Sequence, residues 1–222
     1  PLIAYLRIST FGDLTLEELE SALEVVKEKD IEGLILDLRN NAGGLLSAAV
    51  ATCDLFLDEG IIVTTRGRGG QVLSPEKASS KTTIVDKDIS IVVLVNKYSA
   101  SASEIVAACL QDHDRAVIIG ERTWGKGTVQ KLFPLEMEKS ALKLTTATYW
   151  RPSGQNIHRP KENGDSDVWG VLPDEGYEVA LSEEEFGKLV QQRQKRDRDQ
   201  FAGNESGDGD PDEPGANGDD GN

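Results

Sequence analysis

An α/β domain built on mainly parallel strands is the fold this sequence predicts. Three observations point to it. Apolar runs of strand length recur, GLILD at 33–37 and IVVLV at 91–95 among them, and they read as buried strands. Each is followed by a glycine- or serine-bearing turn and then by a segment with helical spacing. At 222 residues the chain is long enough for one domain with a sizeable core.

In chain order, Leu2–Ile8 reads as the first strand. Thr15 and Glu18 have capping-box spacing, and Leu16, Leu19, Leu23 and Val26 then recur on one helical face. A second strand at 33–39 runs into the glycine turn NNAGG at 40–44, followed by an apolar helix over Leu45–Leu57 and a strand at Ile61–Thr65. Strand, turn, helix and strand form a βαβ unit, and the pattern recurs at 91–95, 102–110 and 116–119. Residues 66–87 are polar and glycine-bearing and read as a hairpin or a flap over a site. Thr128–Phe133 and Ala141–Trp150 alternate as paired strands, and a Pro/Gly-rich connection covers 151–174. Ser182 and Glu185 cap a final helix to about Asp199.

Charge and composition narrow the function. The net charge is −15, which argues against nucleic acid, since phosphate binding needs a basic surface. About half of it lies in the glycine-rich segment 200–222, which has seven acids and no Lys or Arg. That tail has little to bury and reads as disordered, so the folded part spans 1–199. No stretch approaches the roughly 20 apolar residues of a membrane span. Cys53 and Cys109 read as buried free thiols, and no Cys/His cluster or HExxH motif points to a metal.

The stretch 96–130, NKYSASASEIVAACLQDHDRAVIIGERTWGKGTVQ, carries the chemistry. It predicts a strand, a tight connection and a helix that starts near Ser101, where unpaired backbone N–H groups favour developing negative charge. Ser101 and Glu104 also fit a simple capping box, so a structural cap and a nucleophile both remain open. GERTWGK at 120–126 has the spacing of a phosphate-binding loop, but Gly127 stands where Ser or Thr must hold magnesium, and a strand follows instead of a helix. Lys126 between two glycines is either a solvated turn lysine or a base that burial has brought towards neutrality. A lysine base paired with a serine nucleophile is chemically sufficient for acyl transfer. His113 and His158 both read as exposed and remain possible alternatives as the base.

Those blocks, with LILDLRNNAGGLLSAA upstream and LKLTTATYWRPSGQNIH and LPD downstream, resemble the carboxyl-terminal processing peptidases, or tail-specific proteases. The resemblance runs from Tyr5 to Val179. It implies a crotonase-like (ClpP-like) α/β core and a serine endopeptidase that cleaves proteins or peptides with exposed C-termini through an acyl-enzyme. It further implies Ser101 as nucleophile, Lys126 as base, Gln130 orienting that lysine, and the amides of Gly44 and Ala102 as the oxyanion hole. Ala42 stands where the family usually has Pro. No cofactor or metal is expected. The family's PDZ domain is absent from this stretch, which implies an N-terminally truncated core, and bacterial members imply the cell envelope or periplasm. Two rivals remain: a noncatalytic peptide-binding scaffold on the same fold, and acyl-thioester chemistry with Glu104 as its carboxylate.

Overall fold

The computed structural model describes residues 2–29, 31–135, 140–160 and 168–205. The chain divides into two compact units, one reaching Val179 and the other beginning at Ala180. The first contains β1 (Ile3–Arg7), α1 (Thr15–Lys27), β2 (Gly33–Asp37), α2 (Leu46–Asp54), β3 (Ile61–Arg66) and β4 (Val72–Lys77). It continues with β5 (Ser90–Val95), α3 (Ala102–Asp112), β6 (Val117–Gly120), β7 (Thr128–Leu135) and β8 (Ser140–Trp150). The second unit is α4 (Glu183–Glu205), entered through the expected capping box: the Glu185 carboxylate accepts the Ser182 N–H at 2.9 Å. This helix runs past Asp199. Residues 206–222, most of the expected disordered tail, lie outside the described residues.

Among the described residues the strands form two four-stranded sheets, one parallel and one antiparallel, so half of the strands rather than most of them are parallel. The first, in order β1-β2-β5-β6, is parallel throughout. In it Leu36 lies between Leu6 and Val93 and, like Val93, is fully buried. The second, in order β4-β3-β8-β7, is antiparallel throughout. The βαβ reading of 33–65 therefore fails at its last strand. The parallel neighbour of β2 is β5, and β3 leaves for the second sheet. The reason lies in composition. SIVVLV supplies the unbroken apolar run that a central parallel strand requires, whereas IIVTTR turns polar halfway. The 66–87 segment is the hairpin, with β4 returning along β3, and β7 pairs with β8 as expected.

Helices α2 and α3 pack on one another and against β3. The core includes Phe11, Phe56, Leu34, Leu38, Ile105, Leu110 and Ile118. Cys53 and Cys109 are buried free thiols, as expected, and burial beside Cys109 pushes the Cys53 thiol up. One cap differs. The Thr15 hydroxyl turns back to accept from Gly12 N–H at 2.9 Å and donate to the Thr10 carbonyl, so α1 starts without a side-chain cap. Because β2, β5 and β6 are parallel, the loops leaving Asp37, Val95 and Gly120 emerge at the same end of the sheet, where open α/β sheets place their sites.

Candidate active site

Polar side chains knit the first two of those loops together. Asn40 N–H donates to Asn96 Oδ1 at 3.0 Å, and the Asn96 amide returns a bond to Asn40 Oδ1 at 2.6 Å. The Ser99 hydroxyl donates to the Leu38 carbonyl at 2.8 Å and the Ser103 hydroxyl to the Asn41 carbonyl at 2.9 Å. Both serines are fully buried. Of the three serines that alternate with alanine, only Ser101 is partly open to solvent. The structure thus separates two framework hydroxyls from one available for chemistry.

Ser101 precedes α3 with φ 59° and ψ −113°, a conformation that non-glycine residues rarely adopt and that costs on the order of 1–3 kcal/mol. The same strand-to-helix strain marks serine nucleophiles on other α/β folds. The glycine turn is pressed against it. Gly43 has φ +101°, and a Cβ there would lie 2.8 Å from Ser101 Cβ and 3.0 Å from Ala102 N, so no other residue fits. Beside it, the backbone N–H groups of Gly44 and Ala102 have no hydrogen-bond partner among the described residues.

Glu104 joins the second loop to the third. Its fully buried carboxylate accepts four hydrogen bonds. Oε1 takes the Thr123 hydroxyl at 2.6 Å and Gly125 N–H at 2.7 Å. Oε2 takes Ser101 N–H and Lys126 N–H, both at 2.8 Å. One oxygen therefore holds the backbones of Ser101 and Lys126 together. Burial raises the carboxyl above its ordinary range and outweighs the four donors, which pull it down. Capping box and nucleophile prove compatible, because the Glu104 that closes the box also positions the neighbouring loop. An acid inside an otherwise apolar helical run was the sequence signal for this role; Thr123 gave none.

Lys126 has the surroundings expected of a fixed residue but not the burial. A Cβ on Gly125 would meet Arg159 Cβ at 2.7 Å and Trp169 Cε3 at 2.8 Å. One on Gly127 would meet His158 N at 2.4 Å. The backbone is clamped on both sides, yet the Lys126 side chain is exposed rather than enclosed. Gln130 is exposed on β7 beside a register shift, and its amide has no hydrogen bond among the described residues. The strand β7 follows Lys126 directly, where a phosphate-binding loop would open a helix, which removes that reading. His113, half-buried rather than exposed, sits at the far end of α3 from Ser101, roughly 18 Å away at 1.5 Å per residue, and its Nε2 lies 2.8 Å from the Ile61 carbonyl oxygen. His158 is the histidine whose backbone stands at the site, against Gly127: it is half-buried, not exposed, and its Nδ1 has no hydrogen-bond partner among the described residues.

At the foot of the glycine turn, buried Asp37 accepts from the Tyr5 hydroxyl at 2.6 Å and from Arg39 Nε and Nη2 at 2.9 and 2.7 Å. Burial alone would raise its carboxyl. The Arg39 bonds, then that of Tyr5, outweigh it and hold the pKa at about 2. A depressed carboxyl stabilises the fold above its unfolded pKa near 3.8, and that stability is lost as pH falls through 2. Chemical denaturation at pH 5 and pH 2 should therefore differ by about 2 kcal/mol more in the wild type than in Asp37→Asn.

A sequence profile of peptidase family S41 matches residues 2–177. The chain belongs to this family. Among the S41 relatives, the carboxy-terminal-processing protease of Bartonella bacilliformis is 42% identical over 202 residues, covering 88% of this chain and 46% of its own length. The carboxyl-terminal-processing protease of a Synechocystis strain is 40% identical over 179 residues, covering 81% of this chain and 39% of its own. The structure of a photosystem II D1 C-terminal processing protease superposes with a TM-score of 0.70 at 34% identity, covering 81% of this chain and 42% of that one. The chain thus spans less than half the length of these S41 relatives. Among its described helices, none is long and apolar enough to cross a membrane.

Proposed function

We propose that this S41 chain is the catalytic core of a serine endopeptidase that cleaves protein substrates near an exposed carboxyl terminus. One observation carries the reading: Ser101, strained at a helix N-terminus beside the glycine turn, shares a single Glu104 oxygen with Lys126. The architecture, a parallel sheet with flanking helices, supports a crotonase-like core.

In the proposed reaction the neutral Lys126 amine takes the proton from Ser101 Oγ, which attacks the scissile carbonyl. The Gly44 and Ala102 N–H groups receive the oxyanion; converging free backbone donors are the arrangement such an intermediate requires. Lys126 then protonates the leaving amine, and water releases the acyl-enzyme. Gln130 orients the lysine as the pair closes. Among the described residues β7 is an edge strand, and its outer edge near Thr128–Leu132 can add the substrate as a further strand. A peptide laid there would shield the exposed Lys126 amine from water, supplying the enclosure that the base role needs. Location in the cell envelope or periplasm is carried over from bacterial relatives.

The test is hydrolysis of protein and peptide substrates, with the cleaved bonds located by mass spectrometry. Cuts clustered near the carboxyl terminus and absent in Ser101→Ala are expected, a loss on the order of a millionfold. An intact chain that binds such peptides and cleaves none would favour the noncatalytic scaffold.

A further inference from the structure

Beside the site lies a cluster the proposed reaction does not use. The guanidinium of Arg122 lies over the indole of Trp169 at 4.5 Å from the ring centroid, and that of Arg159 lies over the same indole at 4.7 Å. Two like charges are thus gathered on one ring. Neither arginine has an ion pair or hydrogen bond to its guanidinium among the described residues. The chain has 39 acidic and 24 basic residues, so carboxylates are in excess, and Trp169 is the ring that carries two guanidiniums among the described residues. Arg39 is committed to Asp37, Arg151 to Asp112, and Arg115 to the carbonyls of Phe56, Ile89 and Asp86, while Arg66 stacks alone on Trp150.

The cluster is fixed next to Lys126. Arg159 N–H donates to the Gly125 carbonyl at 2.9 Å, and both Arg159 Cβ and the Trp169 ring fill the space where a Gly125 side chain would stand. Trp169 is held through its two C-terminal neighbours. Gly170 N–H bonds the Ile157 carbonyl at 2.9 Å, and Val171 N–H bonds the Thr123 hydroxyl, which itself donates to Glu104. The carboxylate that joins Ser101 to Lys126 therefore also sets the indole. A guanidinium stacked on a ring uses its face and leaves its in-plane N–H donors at the edge, in the fork geometry that matches a carboxylate.

We propose that Arg122 and Arg159, stacked on Trp169, form an anion subsite that binds a carboxylate of the substrate beside the scissile bond. The proposal rests on the peptidase reading for the identity of the ligand, a peptide. The carboxylate is either the chain's terminal one or an acidic side chain, and stacking on the indole keeps both donors pre-oriented before substrate arrives. Arg122, Lys126 and Arg159 together also make a local positive field in an acidic chain, which draws anionic segments towards the site and weakens as salt rises.

The test measures binding by fluorescence anisotropy to the 222-residue chain carrying Ser101→Ala. Four labelled peptides of one sequence are used, with a free or amidated terminus combined with internal Asp or Asn. Binding of one carboxylate-bearing pair about tenfold tighter than its neutral counterpart is expected, and which pair responds identifies the source of the carboxylate. That ratio should fall close to one in Arg159→Gln and Arg122→Gln, survive in part in Arg159→Lys, and invert in Arg159→Glu. Arg159 is exposed, so its variants carry the test if Arg122→Gln fails to fold. Equal binding of all four peptides by the Ser101→Ala chain, or selectivity that persists in both Gln variants, overturns the subsite. Cleavage by the chain with Ser101 intact is followed in parallel. Carboxylate-selective binding without cleavage sinks the peptidase reading and leaves the subsite standing, whereas cleavage without selectivity sinks the subsite alone.

Discussion

Lys126→Ala is expected to lower kcat/KM by roughly a thousandfold or more while leaving the melting temperature where it was. The two halves of that expectation come from different observations. The fold should not respond, because the Lys126 side chain is exposed and the contacts that fix this residue are made by its backbone and by the glycines on either side. Activity should collapse, because a serine hydroxyl is a weak nucleophile unless a base accepts its proton. Lys126→Arg should be equally inactive, since a guanidinium stays protonated under all working conditions. His113→Ala should cost little, as that residue stands at the opposite end of α3 with its ring on the Ile61 carbonyl. His158→Ala is the sharper control. Its backbone stands against Gly127, and a loss there with activity retained in Lys126→Ala would transfer the base role to histidine.

Glu104→Gln is expected to damage both stability and catalysis. The carboxylate fills all four of its acceptor positions with donors, so an amide in its place must turn an NH2 towards two of them. Thr123 can rotate its hydroxyl and accept, but the N–H of Gly125 or of Lys126 cannot. At least one buried donor is left unpaired, and breaking such a network costs about 3 kcal/mol, or on the order of 10 °C in Tm. Catalysis should fall further than stability accounts for, because the tie between the Ser101 and Lys126 backbones loosens. Assayed well below its lowered Tm, Glu104→Gln should still lose about a hundredfold in kcat. A variant that melts early yet turns over normally when folded would make Glu104 purely structural.

Much of this was legible in the chain because it is local. SIVVLV followed by serines and an apolar helix specifies β5, its turn and α3 from neighbouring residues alone, and the family resemblance those blocks carry is what singles out Ser101 and Lys126 as candidates. What escaped depends on partners distant in sequence. Nothing in IIVTTR says that its neighbours will be β4 and β8 instead of β2. Ser99 and Ser103 look like Ser101 until the carbonyls of Leu38 and Asn41 are seen to hold them. The burial expected of Lys126 was inferred from its flanking glycines, but those report close backbone approach by Arg159, Trp169 and His158, not enclosure of the amine. Trp169 reaches Arg122 and Arg159 only through the fold, so that cluster has no signature in the sequence.

In the proposed reaction the Lys126 amine activates the Ser101 hydroxyl. A fluorophosphonate probe tests it most directly, with the modified residue mapped by mass spectrometry and the labelling rate compared between wild type and Lys126→Ala. Labelling confined to Ser101, lost in Lys126→Ala and partly restored by added ethylamine, which the open position of this side chain should admit, is the expected result. Labelling of Ser101 at the same rate with and without the lysine would contradict it.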